Sequence, residues 1–414
     1  MLKTPIYVIA TLDTKAEEAC FVATLLRSAG VPAVLVDVGT LGPPLAKPLI
    51  DRSQVATYHP NGPEAVFGHP DRGAAVTAMS QALREFLVEA YRSKRCSGVI
   101  GLGGTGGTAL IAPAMWALPI GFPKLMVSTV ASGDTSSYIG TSDITMMFSV
   151  VDVAGLNRVS RQIYKNAAAA IAGMAQVKPA VADGRPAIGM TMFGLTTPCV
   201  TRVRKYLEDA GYDCLVFHAT GVGGRAMEEL AASDFLSAIV DVTTTEVADE
   251  VVGGVFPAGP ARFDVILEKR LPYVISLGAL DMVNFGPVST VPLKFAGRKF
   301  HVHNSSVTLM RTTVEENLAF AAWIARKLNA HPNSSFTLLI PEGGVSELDK
   351  PGSPFFDPEA DQALFKELER LVQTGSRRRI VRHPFHINDP AFAEALQHEI
   401  RAVADIQNSQ KLEV

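Results

Sequence analysis

Gly98-Val99-Ile100-Gly101-Leu102-Gly103-Gly104-Thr105-Gly106-Gly107-Thr108 joins a short apolar run to four glycines and two threonines, and residues 109–118 then read as a helix. A strand, a glycine turn and a helix in that order are half of a βαβ unit, which implies a parallel sheet. Glycine lets a ligand approach the main chain closely. The opening of the next helix presents N–H groups with no internal acceptor, a natural seat for an anion. The stretch therefore predicts a phosphate cradle on an α/β scaffold.

The flanking sequence extends that scaffold. Residues 6–10 are a β-rich run, 14–28 carry apolar residues at helical spacing, Gly30 sits where a helix-ending glycine belongs, and 33–38 form a second strand. Residues 39–73 are an insertion holding Gly42-Pro43-Pro44, Gly62-Pro63 and His69-Pro70. Residues 74–91 return to helix, 123–131 read as a strand ending in Ser132-Gly133-Asp134-Thr135, and 166–177 are an Ala-rich helix. Residues 178–186 read as a linker.

Beyond the linker the pattern recurs. Residues 188–193 are a strand, 198–209 a helix, Gly211 its terminal glycine, and 214–218 a second strand. Ala238-Ile239-Val240-Asp241-Val242-Thr243-Thr244-Thr245-Glu246 occupies the place of the first glycine turn, and Leu271-Pro272 precedes a strand as Phe122-Pro123 does. This order predicts two doubly wound, Rossmann-like parallel-sheet domains, 1–182 binding nucleotide and 183–414 following, with a cleft between them. A chain of 414 residues fits that count.

Composition narrows the class. With 47% hydrophobic and 19% charged residues the chain is globular, and a net charge of −3 gives no footprint for nucleic acid. Cys20, Cys96, Cys199 and Cys214 lie far apart without CxxC spacing, as expected of free thiols in a reducing compartment. Pro5 and Asp13 interrupt the first apolar run, and no uncharged apolar stretch reaches the roughly 18 residues of a membrane span. The expectation is a cytoplasmic protein with no membrane or nucleic-acid partner.

In an open parallel sheet, ligands bind beyond the C-terminal strand ends, near the switch in strand order. The first half offers three such loops: Thr11-Leu12-Asp13-Thr14-Lys15, the turn Gly103, Gly104, Thr105, Gly106, Gly107, Thr108, and Ser132, Gly133 and Asp134. Thr14 with Glu17 fits a capping box. Lys15 in a first helical turn opposes the helix dipole, a conflict that an anion would offset. Gly101 to Gly106 satisfies GxGxxG, yet it does not follow the first strand and lacks a downstream acid for a ribose; GK[ST] is missing too. What remains is a nest of backbone N–H groups with threonine hydroxyls. Asp134 is the candidate Mg²⁺ ligand beside the phosphates.

The second half carries a different set of polar residues. His218 leads into Gly221, Gly223 and Gly224; Asp241, Thr244 and Glu246 close a strand; Asp281 and Asn284 follow another; His301, His303, Asn304, Arg311 and Glu342 come later. His218 with Asp281 or Glu342 would supply an acid–base pair. Arg311 would grip an anionic substrate in a bidentate fashion, with Gly221, Gly223, Gly224, Thr244, Glu246, Asn284, His303 and Asn304 around it. The spacing fits no zinc signature, and neither G-x-S-x-G nor H-E-x-x-H occurs.

The chain resembles, over essentially its whole length, the family defined by the ATP-binding N-terminal domain of the tomato mosaic virus resistance protein. The motifs are Thr11-Leu12-Asp13-Thr14-Lys15, the 103–108 turn, residues 128–134, Thr141-Ser142-Asp143, residues 217–224, 243–246 and 278–287, His303-Asn304 and Asp357-Pro358-Glu359-Ala360-Asp361. The resemblance implies a homodimer that binds ATP with Mg²⁺. The plant protein's domain binds and inhibits a viral replication protein, and a TIM-barrel-like domain follows it, so a separate TIM-barrel partner is an expectation for this shorter chain.

Three functions follow as expectations. The first is an ATP-binding protein, its phosphates on the 103–108 turn with Lys15, Mg²⁺ and Asp134, coupled to chemistry on a small anionic metabolite at the interdomain cleft. The second is an ATP-independent hydrolase or lyase using His218. The third is an ATP-gated interaction protein without turnover.

Overall fold

The computed structural model describes residues 4–67, 71–177 and 184–411, with side chains to residue 404. It divides into two compact units, Met1–Val181 and Ala182–Val414. His69-Pro70 and most of the 178–186 linker lie outside the described residues.

The first unit holds β1 (Ile6–Ala10), β2 (Ala33–Asp37), β3 (Gly98–Gly103), β4 (Lys124–Ser128) and β5 (Thr145–Phe148), all parallel, in the order β2-β1-β3-β4-β5. Alternation along the strands sends side chains to opposite faces. Tyr7, Ile9 and Val99 pack under helices Arg72–Arg92 and Thr105–Met115, whereas Ile6, Val8 and Ile100 pack under Ala16–Ser28 and Arg158–Gln176. The sheet is therefore doubly wound. Its order reverses between β1 and β3.

The second unit adds β6 (Ala187–Met192), β7 (Asp213–His218), β8 (Ala238–Thr243), β9 (Tyr273–Gly278), β10 (Met282–Phe285), β11 (Phe300–Asn304), β12 (Val307–Arg311), β13 (Phe336–Pro341) and β14 (Arg378–His383). Its parallel sheet runs β7-β6-β8-β9-β13-β14, so its first five strands follow the order of the first unit. Helices Thr197–Asp209 and Pro390–Lys411 cover one face; Val222–Ala232, Val314–Ala330 and Pro358–Leu371 cover the other. The chain is thus α/β, with two Rossmann-like domains. No described helix is long and apolar enough to cross a membrane.

Several sequence expectations need correction. The helix after β3 starts at Thr105, not at 109, so Gly106 and Gly107 belong to its first turn. The strand expected over 123–131 stops at Ser128, and Thr129–Ser132 is a 3₁₀ turn. Residues 39–73 include two short helices, Arg52–Ala56 and Glu64–Phe67, the first closed by an Asp51–Gln54 capping box. Thr14 does not cap the first long helix; Lys15 stands at that position, and the Thr14 hydroxyl turns back to Thr11. Between β9 and β13 lies an antiparallel sheet, β10-β12-β11, that the sequence reading lacked. It carries Asn284, His301, His303, Asn304 and Arg311, which are therefore not loops at the end of the parallel sheet.

Candidate functional site

At the β1/β3 switch point the first unit opens a cavity of about 510 Å³. Thr11, Asp13, Thr14 and Lys15 supply one wall, and Gly104, Gly106, Gly107 and Leu110 the floor. Thr40, Leu41, Arg72, Gly73 and Val76 close it from the insertion and the helix that follows.

The glycines differ in what the fold asks of them. A Cβ on Gly101 would lie 2.5 Å from Met126 Sδ, and one on Gly103 would lie 2.8 Å from Gly107 Cα, so these two must be glycine for packing. Gly104 has nothing nearer than 3.8 Å, Gly107 nothing nearer than 3.6 Å, and Gly106 nothing within 4 Å. The protein's own packing gives no reason for these three to lack a side chain. All three face the cavity. Gly104 is the N-cap of its helix and provides no side-chain cap, so the first N–H groups of that helix have no intrahelical acceptor.

Cations complete the wall. Lys15 is half-buried and Arg72 exposed, and among the described residues neither has an ion-pair partner. Thr14 and Lys15 both donate their backbone N–H to Thr11 O (3.1 and 2.8 Å), a tight turn that sets Lys15 at the start of its helix. Asp13 is held loosely, accepting from Gly42 N and from the Thr14 hydroxyl, each at 3.3 Å.

Five expected ligand residues, Thr105, Thr108, Ser132, Gly133 and Asp134, stand elsewhere. The Thr108 hydroxyl is buried, donates to Gly104 O (2.8 Å) and bonds Ser128 Oγ (2.6 Å), tying the helix to β4. Thr105 is exposed and is not part of the cavity wall. Asp134 is exposed and caps its own turn by accepting from Ser136 N at 2.9 Å; Ser136 holds its carboxyl below the usual value. Ser132, Gly133 and Asp134 do not line the cavity.

In the second unit the expected substrate and catalytic residues are mostly engaged with one another. A Cβ on Gly221 would meet Pro257 O at 2.5 Å, one on Gly223 His218 O at 1.9 Å, and one on Gly224 Glu246 Oε2 at 2.2 Å. The anion for this glycine turn is internal: Glu246 Oε1 accepts from Gly221 N (2.7 Å) and Gly224 N (3.1 Å). Arg262, itself buried, binds Glu246 through Nε (3.0 Å), Asp241 through Nη2 (2.7 Å) and Glu228 through Nη1 (3.1 Å). Thr244 is buried and donates to Ser276 O, and Asn284 donates to Asp249 Oδ1 through its backbone and side chain.

The proposed acid–base residues do not form a pair. Asp281 is fully buried and takes Ser346 Oγ at 2.7 Å; burial, with the neighbouring Asp349, pushes its carboxyl up to about 7 against the pull of Arg311. Arg311, expected to grip a substrate, donates to Phe355 O (2.6 Å) and Asp361 Oδ1 (2.8 Å) in the interior. Glu342 pairs with Arg382 at 3.1 Å. His218 is exposed and stacks on Phe193 at 5.6 Å. No hydrogen bond joins His218, Asp281 and Glu342 among the described residues. His303 and Asn304 lie exposed on β11, and the Asn304 side chain is used by Ser306 N.

Sequence reasoning missed Thr40, Leu41, Arg72, Gly73 and Val76. The one signal available was a basic residue opening a helix. Family models for the uncharacterised protein family UPF0261 match residues 4–180 with its N-terminal domain and 185–404 with its C-terminal domain. The chain belongs to the UPF0261 family. A UPF0261 protein of Rhizobium meliloti is 53% identical over 405 residues, covering 97% of this chain and 99% of the relative. A UPF0261 protein of Clostridium tetani is 44% identical, covering 95% and 98%. The ToMV resistance protein Tm-1 of Solanum lycopersicum is 47% identical over 412 residues, covering 94% of this chain and 54% of its own length, so the UPF0261 chain spans about half of the tomato protein.

Proposed function

We propose that the first unit binds ATP, with the triphosphate over Gly104–Gly107 and the side chains of Lys15 and Arg72 as its counter-charges. The observation that carries this reading is the set of three glycines whose missing side chains serve the cavity and nothing in the fold. Phosphate at a helix N-terminus is stabilised by unpaired N–H groups and by the helix dipole. Lys15 at the start of the opposite helix becomes favourable once an anion is present. The resemblance to the tomato resistance protein's ATP-binding domain points to the same ligand, and a triphosphate brings a divalent cation, Mg²⁺, with it.

Isothermal titration of ATP into wild type and Gly104→Asp tests the assignment. Gly104 has negative φ and open space at its Cβ, so the variant should fold normally. Its carboxylate should weaken ATP by more than about 100-fold, near 2.8 kcal/mol. Equal affinities would remove the phosphates from this turn. Steady-state ADP release then separates chemistry from an ATP-gated interaction.

A further inference from the structure

Beside the phosphate cradle stand two carboxylates that the anion-binding reading does not explain. Asp37 closes β2 and is fully buried. Its Oδ1 accepts from Leu12 N and Gly39 N, both at 2.9 Å, while Oδ2 is buried with no hydrogen-bond partner. Asp13 comes from the other side. A Cβ built on Gly39 would lie 3.2 Å from Asp37 Oδ1, 3.2 Å from Asp13 Cγ and 3.3 Å from Asp13 Oδ1, so both carboxylates converge on that one glycine. Among the described residues neither has a cation against it. Asp13 lines the cavity.

A buried acid oxygen without a donor is costly. A carboxylate in a phosphate cavity also repels the ligand. The repulsion ends if a cation lies between the Asp13 carboxylate and the phosphate, and its positive charge also lowers the cost of the buried Asp37 acid, which is not itself part of the cavity wall. Mg²⁺ is commonly bound in that way, through one or two carboxylates plus substrate phosphates, with water completing the octahedron.

We propose that the divalent cation accompanying the nucleotide is held by Asp13, with Asp37 behind it as the second negative charge, and not by Asp134. The proposal rests on the triphosphate reading of the cavity. Asp37 acts as a positioning residue as well: through Leu12 N it fixes the loop that carries Asp13 and Lys15. A side chain at Gly39 would crowd both acids, its Cβ lying 3.2 Å from Asp37 Oδ1 and 3.2 Å from Asp13 Cγ.

The test is isothermal titration of ATP, with excess Mg²⁺ and with EDTA, into wild type, Asp13→Asn and Asp134→Asn. Wild type should gain at least about tenfold in affinity from Mg²⁺. Asp13→Asn should bind metal-free ATP at least as tightly as wild type, since a repulsive charge is gone, and should lose most of the Mg²⁺ gain. Asp134→Asn should match wild type. Mn²⁺ in place of Mg²⁺ gives a second readout: compared with Mn²⁺–ATP free in solution, the spectrum of the bound metal and its water-proton relaxation should change on binding to wild type, and far less on binding to Asp13→Asn.

A full Mg²⁺ gain in Asp13→Asn overturns the proposal, as does its loss in Asp134→Asn. An equal loss with and without metal would make Asp13 a contact to ATP itself and also overturns it. If wild type binds no ATP under either condition, the nucleotide reading fails first, which is a different result from a nucleotide site whose cation lies elsewhere.

Discussion

Two turns of similar sequence open helices in the two halves of this chain, and their glycines exist for opposite reasons. At 221–224 each of Gly221, Gly223 and Gly224 avoids an atom of the protein itself, and the N–H groups of the turn bind the Glu246 carboxylate. At 104–107 the glycines avoid nothing, and the N–H groups face a cavity. Glycine density alone does not mark a ligand site. The mark is glycine that the fold does not need, together with donors that no internal acid has taken.

The largest effect that separates the two turns should come from Arg262→Met. Arg262 pairs with Asp241, Glu246 and Glu228 in the interior, and removing one partner of a buried ion network costs about 3–5 kcal/mol. Urea unfolding followed by Trp323, which packs on Phe263 beside this network, should show that loss in a Trp116→Phe background. ATP affinity should not change. A loss of ATP binding in the still-folded variant would break the separation.

Gly224→Ala should come next. The added methyl would lie 2.2 Å from Glu246 Oε2, and clearing it means displacing a buried carboxylate from two N–H donors and an arginine. About 2–4 kcal/mol is expected from such overpacking and lost bonding. A change below about 0.5 kcal/mol by the same unfolding assay would show that the turn has room, and that its glycines need another explanation.

The second unit also stores acids in its interior. Burial raises Asp249 and Asp281 to about 7 and Asp361 to about 8, with Asp349 adding to the rise in the last two. The folded state keeps protons that the unfolded chain, with ordinary carboxyls near 3.8, has already lost. This contribution is complete below about pH 4 and disappears as pH rises toward 7–8. Stability should therefore fall between pH 5 and pH 8, and Asp281→Asn, neutral at every pH, should recover about 1–2 kcal/mol at pH 8 and flatten the profile. An unchanged profile would show that Asp281 stays ionised.

The same contrast explains what was readable. β1, β2 and β3 stand in the sequence as short apolar runs, β1 behind a proline and β2 and β3 bounded by glycine, and Gly30 and Gly211 end helices with φ of 76° and 90°, as their positions imply. β5 is only four residues long with Thr145 and Phe148 exposed, so its run Ile144–Phe148 shows no clean buried face in the sequence. β10 is four residues long and follows β9 after three residues, so its apolar character merged with the end of β9. Arg72 and Val76 reach the cavity through the fold-back of a 35-residue insertion with no periodic signal. In the second half, Asp281, Arg311 and Glu246 look like a site because a buried polar network uses the same residue types as an active site does. Sequence cannot tell whether their partner is a ligand or another part of the chain.

Gly106→Ala is the smallest change in stability and the sharpest test of the contrast. Gly106 lies in the first turn of the Thr105–Met115 helix with nothing within 4 Å of its absent Cβ. Alanine there should raise stability by about 0.5 kcal/mol, since glycine in a helix costs up to about 1 kcal/mol and the penalty is smaller at an end. The same methyl would stand between the helix N–H groups and a phosphate, so ATP should weaken by about tenfold or more. A fold made slightly firmer and a ligand held less tightly, measured on one variant by urea unfolding and by titration, would mean that this glycine serves the ligand. Unchanged ATP affinity would mean that Gly106 serves neither the fold nor the ligand, and that no phosphate lies against this position of the turn.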